Sequence, residues 1–221
     1  MNDQPVISVL VSGSGSNLQA IIDASERGEI PGRIGLVVSN TADAYGLTRA
    51  GKHGIPTAVV DHKAYESREA FDAKLVEVIR ASGAVLVCLA GFMRVVTPVF
   101  LRAFPHRILN IHPALLPSFP GTHGPGQALR HGVRFSGCTV HFLDEGVDTG
   151  PIIAQAVVPV HEDDTEETLA ARILKEEHRI YPMAIRLFLE GRLTVVGRRV
   201  FTRGFTPTGG GSGTPNISTP R

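Results

Sequence analysis

Apolar runs of strand length alternate with segments of helical period through the first hundred residues. Val6 to Val11 precedes Leu18 to Arg27, Ile34 to Ser39 precedes Ala44 to His53, and Thr57 to Val60 precedes Arg68 to Ala81. Val85 to Leu89 then precedes Pro98 to Phe104, and Ile108 to Ile111 closes the series. Repeated strand and helix of this kind predict βαβ units, which means a parallel sheet with helices on both faces and right-handed crossovers. The first half is therefore expected to be Rossmann-like.

From Cys138 the pattern changes. "CTVHFLD" and "PIIAQAVVPV" suggest two strands joined by the turn-rich "EGVDTG", and "TEETLAARILKEEHRIYPMAIRLFLEGR" has the period of one long C-terminal helix. Thr165 is placed to cap that helix, Pro182 to kink it and Gly191 to end it. The stretch "GFTPTGGGSGTPNISTPR" lacks the apolar period that would repay ordering, so residues 204–221 are expected to form a flexible tail. The fold class is thus α/β, a single domain over residues 1–203. Its mostly parallel sheet carries mixed C-terminal strands, and its mononucleotide-binding half ends near residue 105. No internal repeat is visible.

Composition removes several function classes. With 221 residues and 43% hydrophobic content the chain can bury one good core. Lys and Arg number 22 against 21 Asp and Glu, so the formal net charge of +1 creates no field that favours nucleic acid or an anionic membrane. Any anion must be gripped locally. The start "MNDQPVISVL" has no basic segment followed by an apolar one, and no apolar run reaches the roughly 18 residues that suggest a membrane span. The expectation is a cytoplasmic protein. Cys88 and Cys138 lie in apolar, strand-like runs where a free thiol behaves as a small hydrophobe, which suits a reducing compartment.

The first loop carries the first candidate chemistry. In "VLVSGSGSNLQAI" a strand gives way to glycines and small polar residues and then to a helix. In an open α/β sheet this turn lies at the carboxyl edge, where the next helix presents unpaired N–H groups and the positive end of its dipole. Gly13 and Gly15 allow close backbone approach, and Ser16 and Asn17 offer further hydrogen bonds. The dinucleotide fingerprint has its third glycine where Leu18 stands, and no carboxylate directly follows the second strand, which disfavours NAD. A Walker A loop would need Gly-Lys-Ser/Thr, which is absent. A glycine-rich turn with no ligand remains open on the loop alone.

The second constellation is "ILNIHPALLPSFPG". Asn110 and His112 are two apart at the end of an apolar strand, so alternation puts both on one face at the carboxyl edge. Pro113 restricts His112 to an extended backbone. An amide donor beside an imidazole suits a reaction in which negative charge develops on a carbonyl oxygen while a proton moves at neutral pH. Asp148 lies in the turn of "DEGVDTGPII" and can hold the His112 ring if the sheet brings that turn to the same edge. A hydrogen-bonded strand-end histidine and a turn carboxylate are the bland alternatives.

Together "SGSGSNLQAI", "LAGFMRVV", "NIHPALLPSFPG", "GCTVHFLDEGVDTGPII" and "EEHRIYP" resemble the glycinamide ribonucleotide formyltransferase family, over about Val6 to Val195. The resemblance implies that Asn110, His112 and Asp148 are catalytic, that Gly15, Ser16 and Asn17 receive the phosphate of the ribonucleotide, and that Glu177 contacts its glycinamide. It implies that Arg68, Met93, Arg94, Val95, Val96, Asn110 and Asp144 line the place of 10-formyltetrahydrofolate, the co-substrate. It also implies a cis Leu116–Pro117 bond and a monomer or homodimer that binds neither nucleic acid nor membrane. One segment departs from the family pattern. In "THGPGQAL" His123 matches, but Pro125 and Gly126 stand where a second histidine and a basic residue are expected.

No metal is expected, because the nine histidines form no H-E-x-x-H and the cysteines no ligand pair. His53, His62, His106, His131 and His161 are expected at the surface, and His141 is expected either in the core or beside the site. Methionyl-tRNA formyltransferase and formyltetrahydrofolate hydrolase share the Asn, His and Asp logic, but each carries an additional domain for which this chain is expected to lack room. A non-catalytic nucleotide-binding module would explain the first loop and leave "NIHP" and "VDTG" without a role.

Overall fold

The structure, a computed structural model, describes residues 4–204. Its first half follows the expected alternation. In order come β1 (Val6–Val11), α1 (Ser16–Glu26), β2 (Arg33–Ser39), α2 (Tyr45–Lys52), β3 (Thr57–Val59), α3 (Arg68–Ala81), β4 (Leu86–Leu89), α4 (Pro98–Ala103) and β5 (Ile108–His112). The second half adds α5 (Gly124–Arg130), β6 (Phe135–Phe142), β7 (Ile152–Pro159), α6 (Glu166–Leu189), β8 (Leu193–Val196) and β9 (Arg199–Thr202). The expected tail lies, beyond Gly204, outside the described residues.

Among the described residues one sheet holds nine strands, in the order β3-β2-β1-β4-β5-β6-β7-β9-β8. β1 to β5 are mutually parallel, whereas β6 runs antiparallel to both β5 and β7. Alternation along the strands divides the core. Ile7, Val9, Leu86, Cys88, Leu109 and Ile111 pack on one face with Leu18, Ile21, Ile173 and Ile185 of α1 and α6. Leu10, Val87, Leu89 and Ile108 pack on the other with Phe71, Leu75, Ile79 and Phe100 of α3 and α4. At about 25 cal/mol per Å² of apolar surface removed from water, these two layers are the main source of stability.

After β1 the chain passes to β2 on one side, while β4 pairs on the other. The switch point therefore lies between β1 and β4, and a crevice opens there at the carboxyl ends of the strands. Tyr181 of α6 braces its floor: the fully buried hydroxyl lies 3.0 Å from both the Leu89 and the Leu109 carbonyl oxygens and donates between β4 and β5.

The long helix is capped as its sequence suggests. Thr165 accepts from the Thr168 N–H while the Thr168 hydroxyl accepts from the Thr165 N–H at 2.9 Å. Pro182 sits inside the helix without ending it, and Gly191, at φ +64°, follows its last turn. Three elements were not anticipated. The start of α5 is Gly-Pro-Gly, which reads as loop, and β8 and β9 are four-residue strands whose side chains alternate between half-buried and exposed. Among the described residues no helix is long and apolar enough to cross a membrane.

Candidate active site

Asn110 and His112 end β5 on the face of Ile108, as alternation requires. The antiparallel register of β5 with β6 sets His141 opposite Asn110 and Thr139 opposite His112. The Asn110 amide Nδ2 lies 3.2 Å from His141 Nε2, and His141 Nδ1 lies 2.9 Å from the Phe142 carbonyl. His141 is thus both a satisfied core histidine and a neighbour of the site.

Asp148 arrives from the loop between β6 and β7. Its Oδ2 lies 3.3 Å from His112 Nδ1 and accepts from the Gly121 N–H at 2.7 Å, and its Oδ1 lies 3.7 Å from His141 Nε2. Burial pushes the Asp148 carboxyl up, but His141, the Gly121 N–H and His112 outweigh it and leave the group below its ordinary value. The other ring nitrogen of His112, Nε2, donates to the Phe119 carbonyl at 2.8 Å. His112 is 3% exposed, so its ring is held between two acceptors with little water around it. Phe119, His123 and Asp148 all have left-handed backbones, with φ between +55° and +59°. Aspartate tolerates that region better than most residues, and there it turns the carboxylate inward. The Leu116–Pro117 bond is cis, as expected.

A cleft of about 510 Å³ opens over these residues. Its walls are residues 91–96, Asn110–Pro113, Gly121–His123, His141 and residues 143–148, with Leu89 at the base. Met93, Arg94, Val95, Val96 and Asp144 thus share one cavity with the three polar residues. Asp144 also folds its own loop, since its Oδ1 accepts from the Thr149 hydroxyl at 2.6 Å and the Gly146 N–H at 3.1 Å. Arg68 does not line the cleft; it opens α3, one turn before Asp72.

The departing segment finds its own partner. His123 Nδ1 pairs with Glu166 Oε1 at 3.2 Å, and a Cβ on Gly126 would sit 2.5 Å from the other oxygen of that carboxylate. Glu166 thus occupies the space beside the shortened side chain.

The loop after β1 lies on the other side of the switch point. Gly15, at φ +69°, is the N-cap of α1, which has no side-chain cap. The helix starts two residues before its apolar period does, with its first N–H groups facing out of the loop. A Cβ on Gly15 would stand 2.6 Å from the Gly46 Cα, so glycine is also required for the approach of α2. Asn17 is buried, and its Nδ2 donates to Glu177 Oε2 at 2.7 Å, while its Oδ1 is buried without a partner. Burial of Glu177 pushes its carboxyl up, against the opposing effect of the Asn17 N–H. Cys138, on the β6 side of α6, is pushed up to about 12 chiefly by burial and is no nucleophile at neutral pH. Among the described residues no cluster of His, Cys, Asp and Glu could hold a metal ion.

An open α/β sheet with a polar cleft and a glycine loop on either side of its switch point is a nucleotide-type α/β scaffold bearing an acid–base site. Residues 6–185 match the formyl transferase family, and the chain belongs to it. The chain is 48% identical over 187 residues to the phosphoribosylglycinamide formyltransferase of Escherichia coli, covering 85% of this chain and 88% of that one. It is 50% identical over 187 residues to the trifunctional purine biosynthetic protein adenosine-3 of Drosophila melanogaster, of which it spans only 14%. The crystal structure of glycinamide ribonucleotide transformylase 1 from Symbiobacterium toebii superposes with a TM-score of 0.89 at 60% identity, covering 90% of this chain and 94% of the other.

Proposed function

We propose that this chain transfers the formyl group of 10-formyltetrahydrofolate to the amine of N1-(5-phospho-D-ribosyl)glycinamide. The products are formylglycinamide ribonucleotide and tetrahydrofolate, and the reaction is a step of purine synthesis. The observation that carries the reading is the convergence of Asn110, His112 and Asp148 on one cleft beside the uncapped N-terminus of α1, in a chain of this family.

The uncharged glycinamide amine attacks the formyl carbon, and a C–N bond forms as the carbonyl oxygen becomes an oxyanion. The second Asn110 N–H donates to that oxygen, and the His112 ring, held through Nδ1 by the Asp148 carboxylate, stands beside it. Each ring nitrogen of His112 faces an acceptor, the Phe119 carbonyl and the Asp148 carboxylate, which fixes the plane of the ring. Asp148 stays ionised, since its carboxyl is held below the ordinary range. Collapse of the intermediate breaks the bond to N10 of the folate. The amine gives up one proton and N10 takes one, with His112 and Asp148 placed to relay it.

Apolar walls from Leu89, Phe92, Ile111 and Leu143 suit the flat rings of the folate, and Met93, Arg94, Val95, Val96 and Asp144 border them. On the opposite side the phosphate is received by the backbone N–H groups of Gly15, Ser16 and Asn17 and by the Ser16 hydroxyl. Of the Asn17 side chain, Oδ1 is an acceptor and one of the two Nδ2 protons is engaged by Glu177. That oxygen and Glu177 are suited to N–H and O–H donors of the ribosylglycinamide.

The test is to mix the protein with 10-formyltetrahydrofolate, with and without the ribonucleotide, and follow folate product by absorbance. Product that depends on the ribonucleotide is expected. Equal product without it, accompanied by formate, would instead make the chain a hydrolase.

A further inference from the structure

Ser12 has no part in the chemistry above, yet three strands of the carboxyl edge meet at it. It follows β1 and opens the loop to α1, and its backbone N–H donates to the Gly91 carbonyl at 3.1 Å. Its hydroxyl donates to Asn40 Oδ1 at 2.5 Å and accepts from the Met93 N–H at 2.8 Å. Asn40 is buried just beyond β2, and its own carbonyl lies 3.2 Å from His62 Nδ1. One hydroxyl therefore joins the ends of β1, β2 and β4.

The segment it holds has little else. Among the described residues, the backbone of residues 92–96 makes no hydrogen bond to other backbone. Phe92 and Val96 at its ends pack on one apolar layer, but Met93, 70% exposed, and Val95, also exposed, have no such anchor between them. Its far end is tied by another side chain, as the buried Asp72 of α3 accepts from the Thr97 N–H at 2.5 Å. The wall of the cleft from Met93 to Val96 is thus strung between two side-chain acceptors. A wall with no ladder of its own takes its position from those pins and from the packing of Phe92 and Val96 at its ends.

We propose that Ser12 is a positioning residue for the folate co-substrate: its hydroxyl, oriented by Asn40, sets the Met93–Val96 wall in register with the loop that seats the phosphate. The identity of the ligand rests on the formyl-transfer reading above. Ser12 touches neither reacting group, so its loss should appear in binding to one side of the site. Ser12→Ala is expected to raise the KM for 10-formyltetrahydrofolate about 2- to 12-fold, the range for one hydrogen bond. The KM for the ribonucleotide should stay within about twofold and kcat should change less than the folate KM. Ser12→Thr keeps the hydroxyl and should restore the folate KM.

Amide hydrogen exchange supplies a readout that needs neither turnover nor a variant. In the unaltered protein the Met93 N–H should be protected and those of Arg94 and Val95 should not, and Ser12→Ala should expose Met93 alone of the three. An unprotected Met93 amide in the unaltered protein, an unchanged folate KM in Ser12→Ala, or equal rises for both substrates would overturn the proposal. Absence of formyl transfer by the unaltered protein would instead sink the function, and the exchange of Met93 would still judge the latch.

Discussion

Asp148→Asn isolates the charge behind the mechanism, because the amide keeps the shape of the carboxylate. In the native site Oδ2 lies 3.3 Å from His112 Nδ1, with the Asp148 side chain 13% exposed. Two unit charges at that distance interact by about 5 kcal/mol at an effective dielectric near 20. Water and the amide dipole return part of this, and a net loss of about 2.7–4 kcal/mol corresponds to a fall in turnover of about 10²–10³-fold. His112→Ala should lose a similar amount by removing the donor itself. The double variant should be little worse than the poorer single one, since an imidazole without its carboxylate has already lost most of its use. Asn110→Ala should add its own loss to either, because its amide reaches the oxyanion without Asp148. Folate product formation measured beside the folded fraction from circular dichroism separates catalysis from stability. Near-native turnover from folded His112→Ala protein, or losses for His112 and Asp148 that simply add, would refute the reasoning.

Gly15→Val should weaken ribonucleotide binding far more than folate binding in paired titrations, and losses of equal size would end the phosphate assignment. The same change should lower the melting temperature, because a left-handed backbone costs a residue with a Cβ about 1–2 kcal/mol and that Cβ would meet Gly46. Glu177 supplies a pH test. Its folded-state pKa is raised, chiefly by burial, so the folded chain holds a proton that the unfolded chain has released. Stability from this group therefore falls as pH rises from about 4.3 through the raised folded value. Glu177→Gln removes the titration, so its melting temperature relative to the unaltered protein should climb across that window; parallel curves at all pH values would contradict the burial argument.

The parts of the fold set by local period were legible before any coordinates. Strands β1 to β5 and the helices between them follow from alternating apolar runs, and a period of two sufficed to put Asn110 and His112 on one face. Contacts set by the order and register of strands were not legible. Asp148 reaches His112 only because β6 and β7 continue the sheet beyond β5, and His141 faces Asn110 only because the β5–β6 register pairs them. No spacing in the sequence encodes that register. His62, expected at the surface, is half-buried against Asn40 for the same reason: its environment is created by a strand from elsewhere in the chain. The apolar period of α1 begins at Leu18, but the left-handed Gly15 starts the helix at Ser16, which moves two N–H groups into the loop.

These differences share a physical origin in backbone that belongs to no ladder. The carboxyl edge consists of strand ends, where N–H and C=O groups lose their partners just where substrates must reach them. Here side chains fill the gaps: Asp148 takes the Gly121 N–H, His112 takes the Phe119 carbonyl, Ser12 takes the Met93 N–H and Asp72 the Thr97 N–H. Two of these, Asp148 and His112, are the residues to which the chemistry is assigned. The groups that would move protons therefore also hold the loops that enclose them. A catalytic substitution at this edge should then loosen the cleft as well as remove a functional group, and its cost in substrate binding measures how much of the site's geometry that one side chain maintains.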